Sequence, residues 1–156
     1  MRHILPALAA TLCLSTTALA GPGADLAESA RQIASQARER ADYAAARPAA
    51  PAAGIELGDP LQYALDQFSA DAMRLSRAID AAGGPVDLRC IFRGMSGDAA
   101  RRLEALNAAE TSADQARIYH EISALMHDAA EIAPAADGEA LPDTMGPPGT
   151  CPAAPD

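Results

Sequence analysis

The sequence predicts an all-α fold: a small bundle of about four to five helices with an extended C-terminal tail tied back by one disulfide. Three observations lead there. Long stretches rich in Ala, Leu, Glu, Gln and Arg run free of Gly and Pro. Apolar residues within them recur at spacings of three and four, the period of a helix with one buried face. Two cysteines, Cys90 and Cys151, remain once an N-terminal leader is set aside.

That leader has three parts. Arg2 and His3 make a short basic start, Ile4 to Leu14 an apolar run, and Ala18-Leu19-Ala20 a small-x-small site. This is the pattern of a secretory signal peptide cleaved after Ala20. The apolar run falls short of the roughly 20 residues a membrane span needs, and no second such run follows, so no span is expected. Cys13 follows Leu12, where a lipoprotein signal has a small residue, so lipidation is not expected either. All 12 cationic residues are Arg, and Ala, Gly and Pro abound, as GC-rich codon usage produces. The reading is a bacterial protein of the periplasm, or one secreted beyond it.

Removing Arg2 with the leader leaves 11 Arg against 21 acidic residues, a net charge of −10. Such a field repels DNA, RNA and anionic lipid, so nucleic acid is not an expected partner. In an oxidising compartment the two remaining cysteines are expected to pair, closing a loop of about sixty residues and restricting the unfolded chain by roughly 4 kcal/mol. Two soft metal ligands would need a nearby His or a third Cys.

The elements follow in order. Residues 24 to 46 are helical by propensity, with a weak stripe of Leu26, Ala30, Ile33, Ala37 and Ala44 that Arg40 interrupts. Such a stripe fits packing on the rest of the protein, pairing with another chain, or a projecting arm. Residues 47 to 58 read as a linker, semi-extended at Pro48 and Pro51. Asp59-Pro60 then opens the best-defined helix, with Asp as N-cap and Pro in the first turn. Leu61, Leu65, Phe68, Ala72, Leu75, Ile79 and Ala82 form one stripe, and Gly83-Gly84-Pro85 ends it.

From Pro85 the sequence predicts a short helix that carries Cys90 and stops near Gly94. A second helix, capped by Ser96 or Asp98, turns Leu103 and Leu106 inward. Ser112 and Gln115 have the spacing of a capping box for a last helix running to about Ala133. Its stripe is Ile118, Ile122, Leu125, Ala129 and Ile132, widened by Tyr119 and Met126. Pro134 begins an acidic Pro/Gly-rich tail without periodicity. The organisation expected is a leader over 1–20, an N-terminal helix over 21–46, a linker over 47–58, a helical core over 59–133 and the tail over 134–156. Large side chains in that core are few against the entropy of ordering it, so the first helix, the disulfide or both must contribute.

Candidate chemistry is sparse. His120 and His127, seven apart on the last helix with Glu131 below, share a face opposite the buried stripe. Their separation of about 10 Å is too wide for one ion to span through both rings. A haem held between Met73, Met95 or Met126 and a histidine would need an inward His, and no Cys-x-x-Cys-His is present. No cofactor is expected. The buried segments offer no His as base for a nucleophile, and the carboxylates lie at outward positions, so a non-enzymatic protein is expected. Arg89, Arg93, Arg101 and Arg102, beside Ile91 and Phe92, form a basic, partly apolar stretch opposed only by Asp98. It reads either as neutralised internally by tail acids Asp137, Glu139, Asp143 and Asp156, or as a surface for an acidic partner.

The run Cys90-Ile91-Phe92-Arg93-Gly94-Met95-Ser96-Gly97-Asp98 resembles a segment of the small periplasmic immunity proteins that neutralise secreted bacterial toxins. It covers nine residues, lacks that family's additional cysteines, and transfers no residue roles. The functional expectation is a periplasmic or secreted helical protein that binds a protein partner, as accessory subunit or inhibitor, through Arg89, Phe92, Arg93, Arg101 and Arg102. The first helix is a secondary surface, through which a homodimer is also allowed. The alternative is a small-ligand, metal or haem-binding bundle that uses His120, His127 and Glu131.

Overall fold

Four helices, α1 (Pro22–Ala45), α2 (Pro60–Ala81), α3 (Val86–Ala108) and α4 (Ser112–Ile132), run alternately up and down and are followed by a 3₁₀ turn at Ala133–Gly138. The computed structural model describes residues 21–56, 58–138 and 150–151. The leader with Cys13, and the tail acids Glu139, Asp143 and Asp156, lie outside the described residues. Among those described, the only β pairing is an isolated bridge between Pro51 and Thr111. No helix there is long and apolar enough to cross a membrane.

α2 forms as its sequence dictates. The Asp59 side chain accepts the N–H of Leu61 at 2.8 Å and of Gln62 at 3.3 Å, while Pro60 occupies a position that needs no donor. At the other end Gly83 takes a left-handed φ of 69°, and Gly84 N–H donates to Ile79 C=O at 2.9 Å, a Schellman closure. The stripe from Leu61 to Ile79 is buried without a break.

α3 departs from expectation. The two helices predicted around Gly94 are one helix of 23 residues that passes through both Gly94 and Gly97. A glycine inside a helix weakens it by about 1 kcal/mol but does not remove a hydrogen bond, and here burial outweighs that loss. Phe92, Met95, Ser96, Ala99, Leu103 and Leu106 keep one buried face across the glycines. Against it lies α2, antiparallel. Ser76 donates to Arg89 C=O at 2.7 Å and Ser69 to Ser96 C=O at 2.9 Å, so small hydroxyls bridge the two backbones.

The N-terminal helix is no free arm. α1 packs along α4, burying Leu26, Ala27, Ala30, Ile33, Ala37, Ala41 and Ala44. Each alanine removes little area, but together they let the helices come close enough for Ser123 of α4 to donate to Ala34 C=O at 3.2 Å. The stripe that looked weak is a close-approach surface.

The cap of α4 lies one residue earlier than predicted. Thr111, rather than Ser112, accepts from Asp114 N–H at 3.1 Å, and Asp114 takes the Thr111 hydroxyl at 2.6 Å. Beyond Ile132 the chain does not leave the bundle at Pro134. It tightens into the 3₁₀ turn, buries Ala133 and Ala136, and places Asp137 over the start of α1.

The alternating topology creates two poles. One holds the start of α1, the 3₁₀ turn, the α2–α3 connection and the Cys90–Cys151 disulfide, whose Cα atoms are 5.6 Å apart. The other holds the end of α1, residues 46–56 that follow it, Asp59 at the start of α2, and the start of α4.

Candidate functional site

Residues 46–56 form an ordered strap. Ala52 N–H donates to Glu110 C=O at 2.9 Å and Ser112 N–H to Ala50 C=O at 3.0 Å, flanking the Pro51–Thr111 bridge. Gln115, 97% buried on α4, clasps Ala53 from both sides: its Oε1 accepts Ala53 N–H at 3.0 Å and its Nε2 donates to Ala53 C=O at 2.6 Å. A side-chain amide has one acceptor and one donor group, the same pair a backbone presents. Gln115 therefore replaces the strand neighbour that this stretch lacks.

Between strap, α1 and α4 lies an open cleft of about 590 Å³. Its walls carry Glu39, Arg40, Tyr43 and Arg47 from α1 and its end, Glu56 from the strap, and Tyr119 from α4. Arg40, which interrupts the apolar stripe in sequence, reaches Asp59 at 2.7 Å and so ties the end of α1 to the cap of α2. Hydrogen bonding to Asp59 raises the Arg40 pKa above its ordinary value, more than burial lowers it, and the Tyr119 hydroxyl adds to the effect. Burial pushes the Asp59 carboxyl up, but Arg40 and the N–H groups of Leu61 and Gln62 together outweigh it and hold its pKa below the ordinary value. The pair is charged and mutually neutralised at neutral pH.

Arg47 is placed differently. Its guanidinium lies over the ring of Tyr43, 4.1 Å from the centroid, a cation–π seat at the cleft rim. Tyr43 is 63% exposed and Tyr63, in the first turns of α2, is 69% exposed. With Tyr119 at the cleft, all three tyrosines of the chain lie at this pole, while both phenylalanines, Phe68 and Phe92, are core.

The residues singled out from sequence are distributed otherwise. Phe92 is fully buried and cannot be a surface contact. Arg89 is largely buried, pairs with Asp80 and donates to Thr150 C=O at 2.9 Å. Arg93 beside it is half-buried and engaged. Arg101 and Arg102 turn back to Asp98 one helical turn away. With α3 unbroken, Arg89 and Arg102 point about 140° apart around its axis, so the four arginines do not form one patch. The sequence predicts two short pieces here; one continuous helix instead separates arginines that are close in sequence.

Cys90 and Cys151 are bonded, which brings Thr150 against Arg89. His120 and His127 both face solvent. His127 Nε2 lies 3.5 Å from Glu131 across an exposed helical turn, and no group of three or more His, Cys, Asp or Glu among the described residues is arranged to hold a metal ion. The sequence marks Gln115 as a capping-box residue and Asp59 as an N-cap but not their partners Ala53 and Arg40, and it leaves Tyr43 and Arg47 unmarked. Arg40 shows locally only as a charge inside an apolar stripe. Compared with family models, curated proteins and solved structures, the chain matches none.

Proposed function

We propose that this protein is a non-enzymatic binding protein of the periplasm or an extracellular space, and that it recognises a protein partner through the strap-pole cleft. The observation that carries the reading is the Tyr43–Arg47 stack at the rim of an ordered, open cleft. Tyr and Arg are the residue types that dominate binding energy at interfaces, because each offers a large, stiff contact surface with polar edges. Here they stand exposed on a rigid support, with the strap held by Gln115 and the Arg40–Asp59 pair. The leader and the paired cysteines support the compartment.

The test is affinity capture from a periplasmic extract with the oxidised protein as bait, its intact mass recorded beforehand. That mass reports a chain beginning at Gly21 with two fewer hydrogens for the disulfide. The wild type is expected to retain a partner that a Tyr43→Ala/Arg47→Ala variant of unchanged helicity loses. Equal retention by both would overturn the cleft as the recognition site.

A small-ligand reading has one specific observation in its favour. The cleft volume lies within the range of about 300–1,000 Å³ common to small-molecule sites. Native mass spectrometry of the protein purified from the periplasm discriminates the two, a bound small mass favouring the second.

A further inference from the structure

Resting on the reading of the cleft as the recognition site, we propose that its occupant is an extended segment of the partner that carries Lys or Arg. Three independent features argue for it. The first is charge. Arg40 and Asp59 cancel each other, which leaves Glu39, Glu56 and Arg47 as the remaining fixed charges of the cleft, one negative in sum. Glu39 and Glu56 are exposed, and neither has a cationic partner among the described residues. They sit on a chain whose net charge is −9 in all, so a basic segment is steered in and an acidic one kept out.

The second feature is backbone. After Ala53, whose N–H and C=O are both taken by Gln115, the strap continues through Gly54 and Ile55, outside any helix, along the cleft wall. The backbone groups of Gly54 and Ile55 make no hydrogen bond among the described residues. A Cβ placed on Gly54 would meet nothing within 4 Å, so this edge is open to an approaching chain. An extended peptide laid beside such an edge gains main-chain hydrogen bonds while alternate side chains drop into the cleft.

The third is the Tyr43 ring. Arg47 already occupies one of its faces as a cation–π partner. The chain's own arginine thus marks an aromatic surface suited to a guanidinium or ammonium group. An incoming basic side chain meets ring, Glu39 and Glu56 together.

The experiment uses the oxidised chain from residue 21 to 156 and three ten-residue probe peptides: alternating Lys and Val, alternating Glu and Val, and alternating Gln and Val. Binding is measured by titration calorimetry at 150 mM salt, and the site is mapped by backbone amide NMR shifts. The Lys peptide is expected to bind and to shift residues 39–56 and 112–119. The Glu39→Gln/Glu56→Gln variant should weaken it at least tenfold, and an Asp87→Asn/Asp128→Asn variant, with the same change in net charge, should weaken it less than threefold. Equal binding of Lys and Glu peptides, equal loss in the two variants, or shifts confined to the disulfide pole would each overturn the proposal. If the captured partner still depends on Tyr43 and Arg47 while the Lys peptide does not bind, the class of segment is wrong and the cleft reading stands. If the partner is indifferent to Tyr43 and Arg47, the cleft reading itself falls.

Discussion

Asp137 caps a helix that begins 115 positions before it: its carboxylate accepts the backbone N–H groups of Gly23 and Ala24, each at 2.7 Å. The residue at the N-cap of α1 is Gly21, which has no side chain to do this. The approach is close enough that a Cβ on Gly23 would lie 2.2 Å from the Ala133 carbonyl oxygen. Only glycine fits there, and the C-terminal turn completes the first helix electrostatically as well as sterically.

Asp137→Ala should therefore lower stability by about 1–2 kcal/mol in urea unfolding, and Asp137→Asn by less, because an amide oxygen still accepts. Gly23→Ala should be at least as damaging, since backbone rather than a movable side chain must give way. Unchanged unfolding midpoints for these variants would show that the turn does not cap α1.

Gly94→Ala should stabilise the protein by up to about 1 kcal/mol, because the residue is inside α3 and a Cβ there meets nothing within 4 Å. A thermal melt suffices. Had the chain broken at Gly94 into two helices, as its glycines first suggest, the same substitution would be neutral or harmful.

That contrast marks what the sequence made legible. α2 could be read end to end because its cap, its stripe and its Gly83-Gly84 stop are all local signals. α3 reads as two pieces because glycine looks like punctuation locally, while Phe92 and Met95 lie on one buried face of a single helix packed on α2. The fate of α1 was open, since an alanine stripe is equally consistent with close packing and with no packing at all. The disulfide follows from counting the cysteines left once the leader-like first twenty residues are set aside. The cleft did not: Gln115 and Ala53 are 62 positions apart, and nothing in either residue's neighbourhood announces the other. Phe92, grouped with arginines by adjacency, belongs to the core by helical phase.

Cys90→Ser should lower stability by roughly 4 kcal/mol, the loop-closure entropy of a crosslink spanning 61 positions. Far-UV helicity should persist in the folded variant at low temperature, because the bridge fastens the tail to one pole and no helix depends on it for its hydrogen bonds. An unchanged melting temperature under oxidising and reducing conditions would contradict this.

The Arg40–Asp59 pair sets an acid limit. Asp59 has its pKa depressed in the folded state, so its contribution is fully present above the unfolded carboxyl value of about 3.9 and is lost as pH falls through the lower folded value. Wild-type stability should fall more steeply below about pH 4 than that of Asp59→Asn, whose cap oxygen remains but no longer titrates. Parallel pH profiles for the two proteins would show that the pair contributes nothing.

Recognition at the strap pole predicts where a bound partner lies, and site-specific photocrosslinking reads that position out. A benzophenone side chain is introduced at Tyr43 in one protein and at Ile91, exposed near the disulfide, in another. Both are irradiated in the periplasm of the producing cell. A discrete crosslinked protein from position 43 and none from position 91 is the predicted result. A discrete crosslink from position 91 alone would contradict it and return recognition to the α3 surface around Arg93.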